Sequence, residues 1–122
     1  AKQNHLSYVK MVNKAGQTVE PTVDSFKAAA ASADWANAAK NDFFVLFLDQ
    51  PGQTAWPITA TTFVLVYKQP GDQAATSASL KFFKWSFEKG GPAAVSLDYV
   101  PLPDNAVQAI EASWKGIQGS GM

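Results

Sequence analysis

The groups in this chain that could do chemistry are hydroxyls, carboxylates and one imidazole. Thr59, Thr61 and Thr62 are the most suggestive hydroxyls because they bunch at the start of an apolar run. The plainer reading is that threonine serves there as a β-former. Asp34, Asp42 and Asp49 are the closest acidic residues in the middle of the chain. Their intervals match neither one helical face nor a calcium loop. Asp98 and Asp104 flank the Leu97–Pro103 loop, where turn or cap duty explains both. A two-carboxylate hydrolase would have to assemble its pair from distant positions. His5 is the only histidine and there is no cysteine. Nothing could share a metal with His5, which reads as a surface residue. No serine sits in a nucleophile elbow, and Gly90-Gly91 reads as a helix stop rather than a phosphate cradle. Trp35, Trp56, Trp85 and Trp114 could stack on a ligand, but tryptophans at such positions more often fill a core. The expectation is therefore no catalysis, no metal and no cofactor.

The charge inventory narrows the partners. The 122 residues carry ten basic and ten acidic groups, which argues against nucleic acid. All ten cations are lysine. Without arginine's planar fork, a tight grip on an oxyanion would fall to backbone N–H groups, hydroxyls or lysine. Hydrophobic residues make up 47% of the chain, enough to expect a packed core. No signal peptide is visible and no apolar run reaches membrane-spanning length. The chain opens at Ala1 without methionine, which reads as a cut end, and Gly119–Met122 reads as a flexible tail.

The elements that must position these groups follow an α/β order. Leu6–Val12 alternates as a short strand and turns at Asn13–Gly16. Thr22 caps a helix with Asp24 in its first turn and Val23, Phe26 and Ala30 as its stripe. Asp34-Trp35 opens a weaker helix to about Lys40, and Phe43–Leu48 is apolar with no clear preference. Asp49–Gly52 is a turn. Trp56-Pro57 then leads into a strand over Thr59–Lys68 that is apolar on both faces from Phe63 to Val66. A long helix spans Gln73–Lys89, with Leu80, Phe83 and Phe87 on one face, and Gly90-Gly91-Pro92 ends it. A last helix spans Asp104–Ile117 with Val107, Ile110, Trp114 and Ile117 as its stripe. A strand covered on both faces needs two neighbours, and too few strands are present to supply them.

Three segments together resemble the C-terminal part of the phosphate-binding proteins that feed bacterial phosphate ABC transporters. They are Asp49–Lys68 with Gln50-Pro51-Gly52 and Ala55–Phe63, then Leu80–Trp85, then Leu97–Asp104 with the helix through Trp114. The opening residues with Leu6 and Tyr8, and the stretch from Pro21-Thr22 to Asp34-Trp35, also fit. Phe43–Leu48 is the weakest part of the match.

The resemblance implies a C-terminal portion of a two-lobed periplasmic-binding-protein fold of type II, with incomplete sheets in both lobes. Residues 1–61 would belong to the second lobe and residues 62–122 would return to the first. The crossing strand would lie at about 59–68, with Thr61 and Thr62 as hinge. The implied role is capture of inorganic phosphate in the periplasm and its delivery to a membrane permease, without catalysis. The family's phosphate ligands, including an Arg-x-x-x-Ser-Gly-Thr motif, lie upstream. No phosphate-binding residue is therefore expected here, and phosphate would bind only with the missing N-terminal part. The isolated chain would self-associate or need complementation. Two other readings compete: a free-standing α/β protein-interaction module without a small-molecule ligand, and a small hydrolase using the scattered carboxylates.

Overall fold

A computed structural model of the chain describes residues 4–121. These divide into two units: one holds the chain up to Ala33 together with Leu46–Ala60, and the other holds Asp34–Val45 and the chain from Thr61 onward.

The first unit begins with a hairpin. Strands β1 (Met11–Val12) and β2 (Thr18–Val19) pair antiparallel, Met11 opposite Val19 and Val12 opposite Thr18. Gly16 turns the chain at φ +75°, in the left-handed region that glycine enters without cost. The Asn13 side chain holds the turn by accepting from the Ala15 and Gln17 N–H groups at 3.1 and 3.0 Å. Helix α1 (Val23–Ala31) starts at the expected cap, where Thr22 Oγ1 accepts from the Ser25 N–H at 3.2 Å. Ser25 completes the box by accepting from the Thr22 N–H at 2.9 Å. Ala29 and Ala30 bury its inner face.

In the second unit, Asp34 caps the short helix α2 (Trp35–Ala38) by accepting from the Asn37 N–H. Helix α3 (Gln73–Lys89) has the predicted bounds and is capped by Asp72, which accepts from the Ala75 N–H at 2.9 Å. Helix α4 (Gly91–Ser96) and helix α5 (Asp104–Ser113) follow, and α5 tightens into a 3-10 turn at Trp114–Gly116. Leu80 and Ala106 are fully enclosed. Phe87 stacks on Trp114 with ring centroids 6.1 Å apart.

Several expectations are corrected. Only Met11–Val12 of the Leu6–Val12 run lies in a ladder; Leu6, Tyr8 and Val9 are exposed with no neighbouring strand among the described residues. Phe43–Leu48 is neither helix nor strand, and Asp42 and Phe43 turn the chain at positive φ. The long helix does end at Gly90, but a new helix starts at once. Gly90 stays right-handed at φ −77°, and a Cβ there would lie 2.5 Å from the Ser86 carbonyl oxygen. Pro92 is tolerated because it falls in the first turn of α4. The C-terminal tail is fixed rather than loose: Gln118 donates to the Lys68 carbonyl, and Ser77 to that of Ser120, which is buried. Met122 lies outside the described residues.

The largest correction concerns Thr59–Lys68. This run forms no strand. Among the described residues, the backbone of residues 61–67 makes no hydrogen bond. Phe63, Val64, Leu65, Val66 and Tyr67 are all exposed, Leu65 at 95%. A strand exists only with a partner edge, and nothing in the described chain offers one. The coarse α/β reading survives as helices with one small two-stranded sheet.

Candidate functional site

The candidate groups stay dispersed. Asp34 and Asp72 are helix caps. Asp42 pairs with Lys68 at 2.6 Å on the surface. Asp98 sits in a left-handed turn after α4, as turn duty led one to expect, whereas Asp104 is the first residue of α5, whose N-cap is Pro103 with no side-chain cap hydrogen bond. Among the described residues, no group of three or more histidines, cysteines or carboxylates could hold a metal. His5 is exposed. Among the described residues, the electrostatic perturbation that stands out is Lys10, raised by its hydrogen bond to Glu20 and by that carboxylate's charge. Lys10 is fully exposed and has the character of a surface pair.

The three threonines do not converge. Thr59 is buried, and its hydroxyl is spent on the Trp56 carbonyl at 3.1 Å. Thr61 is half-buried and Thr62 exposed. Trp35, Trp56 and Trp114 are core residues. Trp85, expected in or near the core, is 56% exposed and stacks on Phe82 with centroids 6.0 Å apart. No set of these side chains forms an oxyanion grip.

The best-built feature is a loop anchor in the first unit. Buried Asn13 points its Nδ2 amide, whose two hydrogens are shared among them, at the carbonyls of Gly52, Gln53 and Ala55 at 3.3, 2.9 and 3.2 Å. The Trp56 N–H donates to the Ser25 carbonyl at 3.0 Å, and the indole meets Phe26 edge-on at 6.2 Å. The Asp49 N–H closes the loop on the Pro57 carbonyl at 2.9 Å. Sequence reasoning assigned Asn13 to its turn alone. Its loop partners lie some forty positions away, and no local signal marks them.

The second feature is uncovered surface. The chain exposes 8388 Å². A folded monomer of 13.1 kDa exposes about 6,400 Å². Counted as two separate bodies, the same chain would expose about 7,700 Å². Much of the exposed apolar side-chain surface lies at Phe63–Tyr67 and at Phe82 and Trp85. No described helix is long and apolar enough to cross a membrane.

No family model matches the chain. The phosphate-binding protein PstS of Xylella fastidiosa is 53% identical over 114 residues, 93% of this chain and 31% of that protein. The protein of the same name from Pasteurella multocida is 45% identical over 94% of this chain and 33% of its own length. The one from Haemophilus influenzae is 42% identical over 94% and 34%. The chain thus spans about a third of the length of the curated relatives it matches. At this identity over nearly all of its residues, the chain is similar to a stretch about one third of the length of those phosphate-binding proteins.

Proposed function

We propose that the chain is the C-terminal segment of a two-lobed periplasmic phosphate-binding protein, one that captures inorganic phosphate and presents it to an ABC permease. The observation that carries this reading is the 53% identity across 93% of the chain to a protein named for phosphate binding. The missing arginine and the dispersed polar groups agree with it, because the grip on the anion would then be made by residues upstream. Residues up to about 61 would belong to the second lobe and the rest to the first. Thr61 and Thr62 would take up the rotation as the lobes close. The division of the chain between Ala60 and Thr61 supports a boundary at that point, whereas Asp34–Val45 group with the residues after it.

In this reading the chain contributes no catalytic step. Its part is to complete both lobes and to carry one crossing between them. The uncovered surface at Phe63–Tyr67 would be covered by the remaining two thirds of the protein, which would also supply strand neighbours.

Calorimetric titration with inorganic phosphate tests this. The 122-residue chain alone gives no binding, and the chain joined to its upstream sequence binds tightly. Micromolar or better affinity of the chain alone would overturn the assignment of the ligands to the upstream part. An upstream-extended protein that ignored phosphate would overturn the ligand itself.

A further inference from the structure

We draw no further inference here: the strongest candidate, the exposed aromatic face of α3 at Phe82 and Trp85, carries nothing because the chain spans about a third of the length of its relatives and nothing in the structure shows what covers that face.

Discussion

Residues 46–60 and residues 61–67 adjoin in sequence and both carry aromatic and β-branched side chains, yet the chain treats them oppositely. The first loop is closed by its own surroundings. Asn13 takes three of its carbonyls, Ser25 takes the Trp56 N–H, and Phe47, Ala55 and Trp56 are buried, although Leu46, Leu48 and Ile58 remain exposed. The second run has no backbone partner among the described residues, and its side chains stand in solvent. Burial therefore follows not from hydrophobicity but from whether the chain supplies partners for the polar backbone that accompanies the apolar side chains. A loop can recruit them from a side chain such as Asn13. A strand needs another strand.

The contrast sets an order of effects. Trp56→Ala removes a buried aromatic ring from the closed loop and is expected to cost about 4 kcal/mol in urea unfolding. A loss under about 1 kcal/mol would mean the loop is held otherwise. Asn13→Ala leaves the Gln53 and Ala55 carbonyls and the Ala15 and Gln17 N–H groups without their partner, while the Gly52 carbonyl keeps the Ala55 N–H. The expected cost is about 3 kcal/mol, with Asn13→Asp no better, since a carboxylate cannot donate to the three carbonyls. Thr22→Ala, at the cap of α1 beside the same loop, is expected to cost about 1 kcal/mol. Leu65→Ser, in the open run, is expected to change the stability of the dilute chain by less than about 0.5 kcal/mol. A large loss at Leu65 would erase the contrast.

The features legible in the sequence are those whose cause is local. The Thr22 cap, the Asn13–Gly16 turn and the full extent of α3 are each written within a few residues. The start of α5 at Asp104 is legible in the same way, but its end is not: the Val107-to-Ile117 stripe continues past Ser113, where the backbone tightens into a 3-10 turn at buried Trp114. The Thr59–Lys68 strand was misread for a physical reason. Its pattern encodes a strand environment, but pairing depends on an edge that the pattern cannot provide. The candidate site was legible mainly as a lack of convergence, and Asp34 and Asp104 did turn out to serve helix starts. What the residues alone could not give was Asn13's long reach, because no local motif points from one turn to carbonyls so distant in sequence.

Amide hydrogen exchange of the chain, followed residue by residue at a concentration low enough to keep it monomeric, tests the contrast most directly. The account predicts slow exchange at Trp56 and in the Asn13 turn, and exchange close to that of an unfolded peptide across Phe63–Tyr67. Strong protection of Phe63–Tyr67 in the dilute monomer, equal to that of Trp56, would contradict it.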